Sequence, residues 1–365
     1  MARWPPTKKN ASVPPGLPAQ IAFNPYSMPL PTAGKFSAEA DKASKPEIDP
    51  ASPLLFVIND KSGRNNPAET RQAIEDALRD ANRRGEFFSA RPSELAEVAR
   101  KTAARALSMR TVMVAVGGDG TINSVAQAAY AQGCAMGLVP QGTFNYFART
   151  HRIPTDPAEA TTALLRSRPV PVQVGLINDM VFLVNASVGL YPELLEDREA
   201  YKKRFGRSRI VALASTLATL MTEHRQLRLR IESGAEARDV STPTLFVGNN
   251  RLQLEQVGLP DAHALDHGWM AAVMLRPIGT LSMLGLLFRG AMGTLGEADT
   301  VESFEFHRLI VRQRHALRTA VVKVAFDGEV NWMRGPLDFR VAPKPLHLVK
   351  PGDQNHDPGS TSASI

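Results

Sequence analysis

The chain has little cysteine and no long hydrophobic run. Cys134 is the only cysteine among 365 residues, so no internal disulfide or cysteine-based zinc cluster can form, which excludes a disulfide-stabilised secreted scaffold. The longest smooth apolar stretch, residues 210–221, is much shorter than the roughly 20 residues that cross a bilayer. We therefore expect no transmembrane helix.

The N-terminus also lacks the apolar core of a signal peptide. Arg3, Lys8 and Lys9 supply positive charge there, but five prolines between positions 5 and 18 interrupt any apolar run. Because it shows neither a signal peptide nor disulfides, the sequence predicts a cytoplasmic protein.

What the chain does have is positive charge and enough apolar residues for buried cores. Its formal net charge is +7, which suits nucleic acid, an anionic membrane surface or phosphorylated ligands. Aromatic residues make up only 6% of the chain and no RNA-binding or helix-turn-helix motif is present, so we expect no nucleic-acid partner. An apolar share of 43% is sufficient for two domains.

The pattern along the chain predicts two folded domains between disordered ends. Residues 1–52 form a leader rich in proline and residues 351–365 form a polar tail, and neither shows a sustained period. Between them we expect a nucleotide-binding α/β domain at residues 53–168 with 337–350. Residues 169–336 form a mainly β substrate domain in this interpretation.

The first domain alternates apolar runs with amphipathic stretches. Apolar runs at residues 54–58, 112–116 and 136–139 are separated by helical patterns, and the order strand, helix, strand predicts an open parallel sheet. Short runs after residue 169 predict the strands of the second domain, with a long basic and apolar helix at residues 198–223 among them.

Polar turns that contain glycine or amide side chains follow the three apolar runs. They begin at Asn59, Gly117 and Pro140, at the carboxyl ends of parallel strands, where open α/β sheets bind ligands. Because glycine lacks a Cβ atom, a glycine turn brings its backbone N–H groups close to phosphate oxygens, and the following helix adds its positive N-terminal end. The turns therefore predict a phosphate site.

Asp119 lies in the middle of the second turn, Gly-Gly-Asp-Gly-Thr at residues 117–121. A carboxylate repels bare phosphate, so this position makes chemical sense if Asp119 binds Mg²⁺ or a metal–nucleotide complex. The alternative is that Asp119 or Thr121 only caps the following helix. Three such turns together favour the binding site.

Four motifs make the chain resemble the diacylglycerol kinase catalytic-domain family, which includes sphingosine kinases and bacterial lipid kinases. They are GGDGTIN at residues 117–123, PQGTFNYFAR at 140–149, VNASVGL at 184–190 and DGE at 327–329. The resemblance covers residues 54–349. NAD kinases and phosphofructokinases carry a loop similar to the first motif, but the second motif and the final DGE favour the diacylglycerol kinase family.

The resemblance implies that ATP with Mg²⁺ is the phosphate donor and that a lipid is the acceptor. It implies that Asn59 and Thr143 lie at the nucleotide together with the glycine loop. The loop residues are Gly117, Gly118, Asp119, Gly120, Thr121, Ile122 and Asn123. It further implies that the DGE segment meets this loop across a cleft and that residues 337–349 return to the first domain.

Three carboxylates become candidates for catalysis, namely Glu329, Asp327 and Asp119. A carboxylate that accepts the proton of the substrate hydroxyl beside a metal-bound triphosphate is expected for phosphoryl transfer. The resemblance leaves open whether Asp327 or Glu329 takes the proton. Taken alone, Asp-Gly-Glu between two apolar runs also fits a plain hairpin turn.

Three positions depart from the pattern of the family. Ser124 stands where many members have glutamate and Tyr146 where they have aspartate, and neither change removes a phosphate ligand. His267 precedes Gly268 at the place where members with a structural Mg²⁺ carry aspartate. We therefore assign no metal-binding residue to that segment.

The basic residues of segment 201–209 precede the apolar stretch 210–221. This composition suits an anionic membrane surface, while a core helix with a solvated basic entry fits the same pattern. The sequence thus predicts an ATP-dependent, peripherally membrane-associated lipid kinase whose acceptor is diacylglycerol or a sphingoid-like lipid. The alternatives are a kinase of a soluble hydroxylated metabolite and a catalytically silent protein that binds nucleotide or lipid.

Overall fold

The computed structural model describes residues 45–60, 67–189, 226–256, 258–277, 298–314 and 321–352, together with four single residues between them. The helix expected at residues 198–223, with its basic segment 201–209, lies outside the described residues, as do most of the expected leader and tail. None of the helices in the described ranges is long and apolar enough to span a membrane.

The first half of the chain alternates strands and helices. In chain order these are β1 (Leu54–Asn59), α1 (Pro67–Asp80), β2 (Gly85–Ala90), α2 (Leu95–Ser108), β3 (Met113–Gly117), α3 (Asp119–Gln132), β4 (Met136–Pro140), α4 (Tyr146–Thr150), α5 (Pro157–Leu165) and β5 (Arg168–Val172). The strands expected at residues 54–58, 112–116 and 136–139 are present within one residue of their expected ends.

Short strands dominate the second half. They are β6 (Gly175–Ile177), β7 (Met180–Phe182), β8 (Asn185–Gly189), β9 (Leu227–Ser233), β10 (Glu236–Thr242), β11 (Thr244–Gly248), β12 (Met270–Leu275), β13 (Val301–Phe306), β14 (Arg308–Gln313), β15 (Val321–Phe326), β16 (Glu329–Arg334), β17 (Leu337–Val341) and β18 (Leu346–Lys350). The helix α6 (Arg251–Gln256) and a 3₁₀ helix (Pro260–His267) lie between β11 and β12.

The first sheet is mostly parallel and its strands lie in the order β2-β1-β3-β4-β18-β5. Its central strands are uninterrupted apolar runs because both faces are covered, and Phe56, Met113 and Met136 are fully buried. The stripe of Leu95, Ala99 and Ala103 on α2 belongs to the same core. The chain order changes direction between β1 and β3, so the carboxyl ends of these two strands form the crevice where such sheets bind ligands.

Two antiparallel sheets form a sandwich in the second half. Their orders are β10-β9-β14-β17-β6-β7 and β13-β12-β11-β8-β15-β16. Side chains from both sheets, such as Phe339 from the first and Val324 from the second, meet in one buried cluster. The expected fold class, an open parallel sheet followed by a mainly β half, is confirmed.

Three segments lie outside the domains to which the expected domain boundaries assign them. The strand β5 pairs with β18 in the first sheet, whereas β17 pairs with β14 and β6 in the sandwich. The return to the first sheet therefore begins after residue 341, with β18 beside β4. Residues 45–52, expected to be disordered, contact the first half, where Ile48 packs against the core and the Asp49 amide donates to the Arg110 carbonyl at 2.7 Å.

We expect Gly189→Ala to lower the free energy of unfolding by about 3 kcal/mol. Gly189 ends β8 with φ of +98°, and a Cβ atom there would lie 2.3 Å from the backbone oxygen of Pro243. The matched control is Gly234→Ala in the β9–β10 turn, where φ is +59° and the space is open, so a loss of about 1 kcal/mol is expected. Chemical denaturation measures both, and equal losses would contradict the packing argument.

Candidate active site

The glycine turn after β3 leads directly into helix α3. Gly118 is the N-cap residue and makes no side-chain cap, and the first helical residue is Asp119. The amide of Ile122 donates to the Gly118 carbonyl at 3.0 Å, within the helix. Because no side chain caps the N-cap position, the first N–H groups and the positive end of α3 remain directed at the crevice. Neither Asp119 nor Thr121 is therefore the N-cap residue of α3.

The backbone of the turn after β4 packs directly against the backbone of the glycine turn. The Gln141 amide donates to the Gly117 carbonyl at 2.7 Å, and a Cβ atom on Gly142 would lie 3.1 Å from the Cα atom of Gly118. Asn145, in the left-handed conformation at φ of 50°, accepts the Gly142 amide at 2.9 Å and donates to its carbonyl at 3.1 Å. A side chain at residue 142 would separate the two turns.

The end of β1 reaches the same place. The Asn59 side-chain amide donates to Thr121 Oγ1 at 3.1 Å, and Thr70 of α1 donates to Gln141 Oε1 at 3.3 Å. The rest of the first turn, residues 61–66, lies outside the described residues. The structure thus brings Asn59, the glycine turn and the turn after β4 together at one edge of the sheet, as their positions in the sequence indicate.

Asp119 has few hydrogen-bond donors around it. Its Oδ2 atom accepts the Asn145 amide at a long 3.4 Å, and its Oδ1 atom is buried with no hydrogen-bond partner among the described residues. Burial raises the pKa of the Asp119 carboxyl, and the amide of Asn145 offsets this only partly. A buried carboxylate oxygen without a donor is an oxygen ligand of the kind that Mg²⁺ takes, so this residue fits the metal that a nucleotide would bring.

Asp327 has the opposite surroundings. Its Oδ1 atom accepts the backbone amides of Val184 at 2.8 Å and Asn185 at 3.2 Å, and its Oδ2 atom accepts the amide of Leu183 at 2.7 Å. The side chain of Asn123 donates to Oδ2 at 2.6 Å. Four N–H groups therefore converge on one carboxylate.

The pKa of the Asp327 carboxyl reflects two opposing effects. Burial raises this pKa to about 6, against the lowering effect of the amides of Leu183, Val184 and Asn185 and of the Asn123 side chain. All four partners are donors, so they match the ionised carboxylate and offer nothing to a protonated one. Above a pH of about 6 the Asp327 carboxyl is ionised, and all four hydrogen bonds can form.

Helix α3 is tied to the second half by two side-chain amides. Asn123 bridges Asp327 and the Val181 carbonyl, which it meets at 3.0 Å. Gln127, one turn later, donates to the Val181 carbonyl at 2.7 Å and accepts the Val181 amide at 3.0 Å. The helix that follows the glycine turn is thus hydrogen-bonded to the strand β7 and to the β15–β16 turn.

Glu329 lies against the glycine turn from the other side. Asp327 and Gly328 form the two-residue loop between β15 and β16, with φ of 47° and 87°, the left-handed pair that tight hairpins require. Glu329 is the first residue of β16, and its Oε1 atom lies 3.1 Å from the Cβ position of Gly120. The exposed carboxylate therefore faces the loop that begins α3, as the family resemblance implies.

Two of the residues expected at the nucleotide have buried side chains that do not face the crevice. Thr143 is exposed and directly follows Gly142, whose backbone lies against Gly118. Ile122 is 1% exposed and belongs to the hydrophobic core, and Asn123 is 8% exposed with its side-chain amide bonded to Val181 and Asp327. These two side chains support the turn from behind.

Several polar residues at the junction were missed from the sequence. Gln127 lies in a helical stretch that gave no functional signal, while Asn145 lay within the second family motif without an assigned role. Asn185, Asn249 and Asn250 are buried at the ends of β8 and β11. Asn185 donates to Gln253 Oε1 at 3.0 Å, and Asn250 donates to the Tyr146 carbonyl at 3.5 Å. The clustering of asparagines near the family motifs is the sequence feature that could have indicated these residues.

The segment before Gly268 ends the 3₁₀ helix. Asp266 pairs with Arg251, and the His267 ring lies 3.2 Å from the His263 carbonyl. In the part of the chain that the structure describes, no group of three or more histidine, cysteine, aspartate or glutamate side chains could hold a metal ion. Ser124, another departure from the family, donates to the Gly120 carbonyl at 3.0 Å.

Comparison with known proteins identifies what the first half of the chain resembles. Residues 53–177 match the model of the diacylglycerol kinase catalytic domain. A Serratia proteamaculans protein named "Probable lipid kinase YegS-like" is 33% identical over 147 residues, which are 39% of this chain and 46% of that protein. A protein of the same name from Chromohalobacter salexigens is 27% identical over 209 residues, 56% of this chain and 67% of that protein.

The fold has a solved counterpart. A crystal structure of a diacylglycerol kinase from Bacillus anthracis superposes with a TM-score of 0.59 at 17% identity, over 82% of this chain and 96% of that one. The chain spans less than half the length of several curated relatives that it matches, including the Serratia protein. The glycine turn and its neighbouring strands lie within the matched residues, and residues 53–177 are thus similar to the diacylglycerol kinase catalytic domain.

Proposed function

We propose that this protein transfers the γ-phosphoryl group of ATP to a hydroxyl group of a lipid, diacylglycerol or a sphingoid-like base. One observation carries the proposal. A hairpin of the second half places the Glu329 carboxylate 3.1 Å from the Cβ position of Gly120, so a carboxylate and a phosphate-binding turn face each other in one crevice. Phosphoryl transfer requires such a juxtaposition of a base and a held triphosphate.

The phosphates of ATP would lie over the turn of Gly117 and Gly118. The uncapped N-terminus of α3 supplies N–H groups and the positive end of the helix dipole. Asn59 and Thr143 would add polar side chains at the rim, and the buried Thr121 hydroxyl accepts the Asn59 amide. Asp119 would hold Mg²⁺ through its buried Oδ1 atom, and the ion would supply neutralisation of the charge that develops on the transferred group.

Glu329 is the proposed proton acceptor, and Asp327 positions it. Both oxygens of Asp327 already accept N–H groups, so this carboxylate has no free lone pair directed at a substrate. Glu329 is exposed and adjacent to the loop. We therefore assign the deprotonation of the acceptor hydroxyl to Glu329, and to Asp327 the task of holding the hairpin against α3.

A lipid acceptor at a membrane surface is supported by the names of the relatives and by charge. Both curated relatives carry lipid kinase in their names, and the net charge of +7 favours an anionic surface. A peripheral, cytoplasmic location follows from the same proposal. An assay of γ-phosphate transfer to a lipid extract, run beside a pool of polar metabolites, tests the acceptor. Labelled product in the polar pool alone would contradict a lipid kinase, and labelled product in neither would contradict a kinase.

Asp119→Asn is expected to lower kcat at least about 100-fold without destabilising the fold. Because the folded state raises the pKa of this carboxyl, its charge opposes folding at neutral pH, and a neutral amide of the same size leaves the thermal midpoint unchanged or higher. Steady-state kinetics and thermal unfolding measure the two effects. Unchanged turnover would remove the glycine turn from the mechanism.

Gly118→Ala is expected to weaken ATP binding while the fold persists. The backbone at Gly118 has φ of −79°, which any residue adopts, and a Cβ atom there would meet only the Gly142 backbone at 3.5 Å. The added methyl group therefore costs the fold no more than about 1 kcal/mol, yet it stands where phosphate approaches the turn. Titration calorimetry with ATP measures the change, and wild-type affinity would move the phosphate site elsewhere.

One set of measurements is expected to distinguish the roles of the two carboxylates of the DGE turn. Glu329→Gln keeps the size of the side chain but cannot take a proton, so kcat falls at least about 100-fold while ATP affinity stays unchanged. Asp327→Asn keeps the left-handed turn, but its NH₂ group must face N–H donors, which lowers the free energy of unfolding by about 3 kcal/mol. Kinetics, ATP titration and denaturation measure all three properties.

Glu236→Gln is the matched control, because Glu236 is also an exposed glutamate that begins a strand after a two-residue hairpin loop. It should leave kcat unchanged. Full activity in Glu329→Gln would refute the assignment of the base. Full stability in Asp327→Asn would refute the positioning role of Asp327.

A further inference from the structure

The β15–β16 hairpin presents a distinct outer face. Its exposed and half-buried residues are Val321, Lys323, Val330, Trp332 and Arg334, and we call this set the hairpin face, while Ala325 on the same side is buried. In the register, Val321 lies opposite Arg334 and Lys323 opposite Trp332. The alternate residues Val322, Val324, Phe326 and Met333 pack against the core of the sandwich. Because neighbouring residues of a strand point to opposite sides, the hairpin face points away from that core.

The hairpin face combines exposed apolar surface with cations. Trp332 is 47% exposed and Val321 is 38% exposed. The ammonium group of Lys323 lies 5.2 Å from the centre of the Trp332 ring, and Arg334 follows Trp332 by two residues on the same side. None of the five residues is acidic. An exposed tryptophan alone is ordinary, but a tryptophan between two cations on a flat sheet surface has the composition of a binding surface.

An anionic bilayer fits this surface better than a second copy of the chain. Tryptophan places its amphipathic ring at the level of lipid headgroups, and lysine and arginine are attracted to anionic lipids. In a symmetric dimer the same patch would meet itself, and Lys323 and Arg334 would then face like charges. Among the strands that the structure describes, β16 ends its sheet, so docking here displaces none of them.

The hairpin face lies on the same strand as Glu329 of the candidate active site. Trp332 follows Glu329 by three residues on β16, which is about 10 Å along a strand and puts the two side chains on opposite faces of the hairpin. The hairpin face is therefore separate from the face that carries Glu329, and docking through it would leave Glu329 uncovered. We propose that this protein docks on anionic membranes through the hairpin face, with Trp332 among the headgroups and Lys323 and Arg334 beside lipid phosphates. The inference rests on the proposed lipid kinase function and names the surface that serves it.

Sedimentation with vesicles tests the docking surface. The vesicles are phosphatidylcholine alone and phosphatidylcholine mixed with phosphatidylserine. We expect Trp332→Ala to lower the partition coefficient on the mixed vesicles about tenfold, from the apolar area that the ring no longer buries. Lys323→Gln with Arg334→Gln should lower it about fivefold per charge at low salt, and added salt should abolish the difference from wild type.

Matched controls use residues away from the hairpin. Trp269→Ala removes a tryptophan of similar exposure, 37%, next to β12. Arg79→Gln with Lys101→Gln removes two exposed cations from α1 and α2 and changes the net charge equally. Both controls should sediment as wild type does. If the control variants lose vesicle binding as much as the hairpin variants do, binding to the vesicles does not depend on the hairpin face. The proposal is then overturned.

A second measurement separates docking from catalysis. Phosphoryl transfer to a short-chain acceptor dispersed in detergent should stay at the wild-type rate in Trp332→Ala, while transfer to the same headgroup in vesicles falls. If no lipid is phosphorylated in either form but sedimentation still depends on Trp332, the docking surface stands and the kinase function falls. Equal sedimentation of Trp332→Ala and wild type would overturn the docking surface. Self-association that depends on Trp332, without vesicle binding, would overturn it in favour of a dimer.

Discussion

The carboxylate of Asp327 holds the two halves of the structure together. Burying a charge is unfavourable unless its lone pairs are met, and here four N–H groups meet them. Three are the backbone amides of Leu183, Val184 and Asn185, where the chain passes from β7 into β8, and the fourth comes from Asn123 on the helix of the glycine turn. Because donors from both halves share one acceptor, the hairpin cannot move away from the glycine turn without exposing this charge.

The same residue reconciles two interpretations of the DGE sequence. A plain hairpin turn and a catalytic segment looked like alternatives, yet the structure shows a tight turn whose location makes it chemically useful. Asp327 and Gly328 both adopt positive φ, a conformation that aspartate and glycine tolerate well. The turn directs the Asp327 side chain back to the junction and starts β16 with Glu329 beside Gly120. Turn chemistry and site geometry therefore require the same residues.

The predictable part of this protein is the part set by local pattern. Continuous apolar runs marked the strands of the first sheet, and the polar turns behind them marked the crevice, because those features depend on neighbouring residues. The bond between Asn123 and Asp327 joins positions 204 residues apart, and no local pattern reports it. The strands β5 and β17 were assigned to the wrong halves for a related reason. The sequence of a five-residue strand does not indicate which of two adjacent sheets the strand joins.

The surroundings of the three carboxylates assign their roles more clearly than their sequence positions do. Asp327 is supplied with donors on both oxygens, so it is complete without a ligand and serves the structure. Asp119 is buried, and one of its oxygens has no hydrogen-bond partner in the described part of the chain, so a bound cation would favour its ionised form. Glu329 is exposed beside the turn, where it can meet a substrate. Carboxylates whose environments differ this strongly can divide the work of a site among them, and in the function we propose Asp327 holds the hairpin, Asp119 holds the metal-bound phosphates and Glu329 accepts the proton.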